Sequence, residues 1–133
     1  MSTLKVNTIQ NTSGGSSSTP EQIQQGRCKQ WINFDGYNMS IRDSFGVSSI
    51  TDKGTGFYRI SFSTAYANTN YTWTGACSTA TSTRTTGRAL CQFDSNSSTS
   101  NDLLGTGHCD VKSMQIDNSI NDADFIYFQA FGD

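Results

Sequence analysis

Seven of the ten aspartates, in two groups, one histidine and four cysteines are the residues of this chain whose types and grouping could do chemistry. Asp35, Asp43 and Asp52 stand near one another, and Asp110, Asp117, Asp122 and Asp124 form a later group. Two carboxylates flanking a glycosidic bond can hydrolyse it, one as acid and the other as base or nucleophile. Most of these aspartates, however, lie in turn contexts, where a short carboxylate caps its own backbone. His108 is the only histidine, and the G-x-S-x-G turn that would present a nucleophilic serine is absent from the sequence. The reading is therefore a protein that is not an enzyme.

Cys77, Cys91 and Cys109 together with His108 could supply four zinc donors. Their wide spacing lacks the Cys-x-x-Cys knuckles of structural zinc sites, so neither a metal nor any other cofactor is expected. With Cys28 the cysteines number four, enough for two disulfides in a secreted domain. The N-terminal MSTLKVNTIQ shows no export signal, and the expectation is four free thiols, with Cys77 and Cys91 facing a core on the side of Trp73 and Phe93.

The formal net charge is -2, and the nine basic residues are scattered rather than gathered in a stripe, which argues against nucleic acid as a partner. Nothing approaches the apolar run of about 18 residues that a membrane-spanning helix needs, so no membrane insertion is expected. The chain is polar through neutral residues: 19 Ser, 17 Thr and 12 Gly accompany only 15% charged residues. With 11% aromatics this composition suits a β fold that carries hydroxyl groups on its outward positions.

The elements that would position these residues follow from alternation. From Trp31 to Phe62 short segments with apolar residues at every second position are separated by Gly, Asp and Asn, the pattern of half-buried strands joined by tight turns. Ile32 and Phe34 share one face and Trp31 the other; Asp35-Gly36 is a turn. Met39, Ile41 and Phe45 alternate apolar, leaving Asp43 on their side, with a bulge expected at Gly46. Thr51 to Gly56 reads as a hairpin loop answered by Tyr58, Ile60 and Phe62. Tyr71, Trp73, Gly75 and Cys77 give a further strand. Residues 78–87 read as an exposed loop, 88–93 as a strand with Ala89, Cys91 and Phe93 on one side, and 94–102 as a second loop. A strand from His108 to Ile116 is expected to turn Met114 and Ile116 inward. The whole predicts an antiparallel β-sandwich of about seven or eight short strands over residues 28–133.

Two segments precede it. Residues 19–27 form a short helix with Thr19 as N-cap, Pro20 at the first position, Gln22 completing a capping box and Gly26 as left-handed terminator. Residues 1–18 form an extended arm carrying Leu4, Val6 and Ile9, then a Gly/Ser tether. A strand ahead of a tether is suited to docking on another protein by strand addition. At the other end of the sandwich, Ile126, Phe128 and Ala130 face the core while Phe125, Tyr127 and Phe131 are also large. A strand apolar on both faces is covered on both, here by another subunit. Ile23, Phe125, Tyr127 and Phe131 are thus candidate subunit contacts. Trp31, Tyr37, Tyr66 and Tyr71 are candidate stacking platforms for sugars.

The stretches STLKVNTIQNTSGGSSSTPEQIQQGRCKQWINFDG and IRDSFGVSSITDKGTGFYRISFSTAYANTNY resemble a family of virion fibre and appendage proteins from tailed phages, especially phages of cyanobacteria and marine bacteria. The similarity spans residues 2–71. It implies a β-rich, usually trimeric appendage, such as a short tail fibre, held to other virion proteins by its arm and reaching towards host glycans. A capsid decoration or collar or head fibre protein uses the same parts, and a glycan-binding module is the further alternative. Location in the virion, with assembly in the host cytoplasm, is part of the same implication.

Overall fold

The computed structural model describes residues 2–80, 87–92 and 104–132. Eleven strands and one helix follow in order: β1 (Ile9–Gln10), β2 (Ser17–Ser18), α1 (Pro20–Gly26), β3 (Gln30–Asp35), β4 (Ser40–Phe45), β5 (Val47–Gly54), β6 (Phe57–Phe62), β7 (Thr72–Ser78), β8 (Arg88–Gln92), β9 (Leu104–Gly105), β10 (His108–Gln115) and β11 (Phe125–Phe131). Apart from the small β1-β2 ladder they build two antiparallel sheets: β4-β3-β11-β7, and β5-β6-β10-β8 with β9 added to β10. The sheets pack face to face around one core, an all-β sandwich as the alternation predicts. Ile32, Phe34, Ile126, Phe128 and Ala130 of the first sheet meet Tyr58, Ile60, Phe62, Cys109 and Val111 of the second. Aromatic rings lock the layers: Phe34 meets Tyr58 edge-on at 5.4 Å, and Phe128 stacks on Trp73 at 5.4 Å and on Phe62 at 6.3 Å.

The β5-β6 hairpin forms as expected but is tighter. Pairing runs on to Gly54 opposite Phe57, so the turn holds only Thr55 and Gly56, the latter at φ +71°. In β4 the bulge lies near Arg42, where the register against β3 shifts between Asn33 and Phe34. It does not lie at Gly46, which instead links β4 to β5 in the left-handed region and leaves no room for a Cβ, which would strike the Lys29 carbonyl. Ile41 and Phe45 remain exposed on this edge strand.

Two strands face opposite to their expected sense. In β10 the inward residues are Cys109, Val111, Ser113 and Gln115; Met114 points out, and Ile116 lies exposed beyond the strand. In β8 Leu90 packs on the core, flanked by Arg88 and Gln92, while Ala89 is exposed and Cys91 half-buried. Polar residues occupy these inward positions because each finds a partner. Gln92 accepts from the Trp73 indole N–H at 2.8 Å and donates to the Asp110 carbonyl at 3.1 Å. Arg88 Nη1 donates to the Asp122 carbonyl at 2.9 Å. Of the expected loop at 78–87, Ser78 ends β7 and residues 81–86 fall outside the described residues, as do the expected loop at 94–102 and Phe93.

The helix begins as its sequence dictates. Thr19 Oγ1 accepts from the Gln22 N–H at 3.2 Å and Gln22 Oε1 accepts from the Thr19 N–H at 2.9 Å, a complete capping box. Its end differs: Gly26 is not left-handed, and the C-cap is Arg27 in extended conformation, its N–H bonded to the Gln24 carbonyl. The arm also differs from a long strand. Only Ile9 and Gln10 pair, and they pair back on Ser18 and Ser17 of the same chain, so the Gly/Ser stretch closes a small hairpin turning at Gly14.

Candidate functional site

The aspartates are occupied in structure. Asp35 accepts the N–H groups of Tyr37 and Asn38 and pairs with Arg42 at 3.2 Å; the Asn38 side chain, first among these contacts, holds its carboxyl below the ordinary range. Asp43, Asp52 and Asp117 bond backbone N–H groups one or two residues on. Asp110 grips Arg59 through both oxygens, at 2.7 and 2.9 Å. Asp122 Oδ1 accepts from Gly56 N–H at 2.6 Å and from the Tyr58 hydroxyl at 2.9 Å, and Asp124 accepts from Ala80 N–H. These bonds join turns and strands; they do not bring two carboxylates to face one another across a cleft.

Among the described residues no cluster of three or more His, Cys, Asp or Glu side chains could hold a metal. All four cysteines are free thiols. Cys77 and Cys109 are buried, and burial pushes both thiols up, Cys109 to about 12 with the neighbouring Asp110 charge adding to the effect. Cys91 does not face the core with Cys77, since β8 presents its other side.

Three surface features remain. The first is the arm and helix. Leu4 is 85% exposed, and Val6, Ile9 and Ile23 are also exposed; all four border one cleft of about 650 Å³ between the arm and α1. The second is the outer face of the first sheet. Here Trp31 lies opposite Phe45 across one strand pair and opposite Gln129 across the next, and Tyr127 lies opposite Asn33. Tyr127 is 43% exposed; Phe125 and Phe131 are half-buried, and Arg42 sits over the Phe125 ring at 4.5 Å. Beside Tyr127 lies a shallow groove lined by Thr74, Gly75, Ala76 and Gln129; Gly75 also lets β7 sit close to its neighbours, since a Cβ there would strike the Tyr127 carbonyl and Leu90.

The third is a cleft of about 340 Å³ where the end of α1 meets the edge of the sandwich, lined by Arg27, Lys29, Gln30, Phe45, Thr64 and Tyr66 among others. Gln30 is 4% exposed; its Nε2 donates to the Thr64 carbonyl at 3.3 Å, and its Oε1 has no partner. Tyr66 is equally buried and its hydroxyl also lacks a partner. Burial pushes that hydroxyl up to about 12, with a smaller contribution from Cys28, so it stays protonated at neutral pH.

The four candidate sugar platforms separate. Trp31 and Tyr37 are exposed, on the outer sheet face and on the β3-β4 turn. Tyr66 and Tyr71 are buried and stacked on each other at 4.2 Å; the Tyr71 hydroxyl donates to the His108 carbonyl and Lys29 covers Tyr66, so neither ring offers an open face. Arg27, Lys29 and Gln30 escape a reading of the sequence by motifs. The available signal is parity: Gln30 shares the inward face of Ile32 and Phe34, and a polar residue there must find a partner. Comparison with family models, with curated proteins and with solved structures finds no match for this chain.

Proposed function

We propose that this chain is a structural component of a tailed-bacteriophage virion, a short tail fibre or similar appendage, fixed to its neighbours by the N-terminal arm and projecting the β-sandwich. The observation that carries the reading is the arm itself. Leu4, Val6 and Ile9 lie outside the sandwich core, and with Ile23 they concentrate exposed apolar surface on a segment of few internal contacts. Such surface marks interaction sites. A second apolar strip, with Tyr127 exposed and Phe125 and Phe131 half-buried, supports assembly with further copies, read here as a homotrimer.

Deleting residues 2–12 is expected to leave the sandwich folded by circular dichroism while abolishing incorporation into particles, and Val6→Asp is expected to do much the same. Normal incorporation of the truncated chain would overturn the attachment role. Light scattering on the purified protein at micromolar concentration is expected to give three times the chain mass; a monomer mass would overturn the trimer. Particle imaging places the labelled protein on tail, collar or head, and density confined to the head would replace the tail-fibre reading with a decoration role.

A further inference from the structure

We propose that the cleft formed by Arg27, Lys29, Gln30, Phe45, Thr64 and Tyr66 binds an anionic saccharide unit, a hydroxylated ring bearing a carboxylate or a sulfate. For its biological setting the proposal rests on the reading of the chain as a virion appendage that projects the β-sandwich. The geometry of the cleft argues for it independently.

A buried polar atom left unpaired is costly, and native proteins keep few of them. Among the described side chains four such atoms occur, and two of the four, Gln30 Oε1 and the Tyr66 hydroxyl, belong to residues of this one cleft. An amide oxygen accepts and a phenol donates or accepts, which matches the alternating donors and acceptors of a sugar's hydroxyl groups. Thr64 lies beside them with its carbonyl already held by Gln30.

Charge supplies the second argument. The chain has more acidic than basic residues, yet Arg27 and Lys29 both line this cleft and no acidic residue does. Neither cation is paired with a carboxylate among the described residues; Lys29 instead rests over the Tyr66 ring at 5.6 Å. An Arg fork suits a planar carboxylate or a sulfate. The third element is Phe45, 56% exposed, an open aromatic face of the kind that covers the C–H side of a pyranose. The cationic rim, the two unpaired buried polar atoms and the exposed aromatic ring together fit an acidic sugar better than a neutral one.

The test is titration calorimetry of the purified full chain with trigalacturonate, with a sulfated galactan trisaccharide and with neutral galactotriose. Binding of one or both anionic sugars at least about tenfold tighter than galactotriose is expected, weakening with added salt. Arg27→Gln, on the exposed rim, and Lys29→Gln are each expected to weaken anionic binding about tenfold while leaving the melting temperature within a few degrees. Gln30→Leu tests the buried amide, and rim variants keep the test open should it fail to fold. Equal binding of anionic and neutral sugars, no binding of either anion at about 10 mM, or rim variants that bind as well as the parent would each overturn the assignment. The trigalacturonate and sulfated arms tell which anion the site takes. Particle incorporation is read separately, so loss of the virion role with intact sugar binding, or the reverse, identifies which of the two conclusions fails.

Discussion

Removing the Tyr58 hydroxyl examines the joint on which one end of the sandwich depends. Tyr58 is fully buried, its ring held edge-on by Phe34, and its hydroxyl donates to Asp122 Oδ1 at 2.9 Å. The same oxygen takes the Gly56 N–H, while the Asp122 carbonyl receives Arg88. One aspartate therefore clasps the β5-β6 turn, the core of β6 and the start of β8. Tyr58→Phe keeps the ring and removes one hydrogen bond to a charged acceptor, a loss of about 1.5–3 kcal/mol. For a domain of this size that lowers the melting temperature by roughly 5–15 °C. Asp122→Ala strands both the hydroxyl and the Gly56 N–H, at a cost of about 2–6 kcal/mol. In that background the hydroxyl is a liability, and Tyr58→Phe becomes neutral or stabilising. Urea or thermal unfolding of the four proteins of the cycle measures the coupling. If Tyr58→Phe costs the same with and without Asp122, the hydroxyl does not act through this carboxylate and the account of the joint is wrong.

Gly75→Ala is expected to destabilise by about 1–3 kcal/mol, because the new methyl meets the Tyr127 carbonyl and Leu90 at once; an unchanged urea midpoint would show that β7 and β11 have room to part. Under denaturing, non-reducing conditions mass spectrometry should find four alkylatable cysteines, and in the native protein Cys77 and Cys109 should react far more slowly than Cys28 and Cys91. Equal native rates would contradict the burial that pushes the first two thiols up. Burial also raises the hydroxyls of Tyr58, Tyr66 and Tyr71, Tyr66 to about 12, above the unfolded value of about 10. Their neutral forms favour folding, so this stability is complete below pH 10 and is lost as pH rises through 12. Phenolate absorbance from these three should appear together with loss of structure, and their ionisation near pH 10 in a still-folded protein would refute the burial.

The fold class was legible because alternation fixes which residues share a strand face. Ile32 and Phe34, or Tyr58, Ile60 and Phe62, leave little choice of sense, and the capping box was written in Thr19, Pro20 and Gln22. Parity failed where the inward residues are polar. Ser113, Gln115, Arg88 and Gln92 look outward by composition, and only their distant partners make burial tolerable; Ser113 donates to Cys77 Sγ across the sandwich. The basic cleft was hidden for the same reason. Gln30 bonds Thr64 and shares the cleft with Tyr66, both more than thirty positions away, and no local pattern connects them. The arm carried a composition that suggested a tether, and the short ladder of Ile9 with Ser18 closes it instead.

The place of β11 has a consequence for the order of synthesis. It lies between β3 and β7, so Ile32 and Phe34 on one side wait for a strand about ninety residues further along the chain. At typical elongation rates of 5–20 residues per second that is roughly 5–20 s with an unpaired, apolar β3 edge on the ribosome. During that interval β4 covers only the other edge of β3, and a neighbouring nascent copy presents the same open edge. Conditions that slow translation between β7 and β11 should therefore raise the aggregated fraction while leaving the stability of the finished protein untouched.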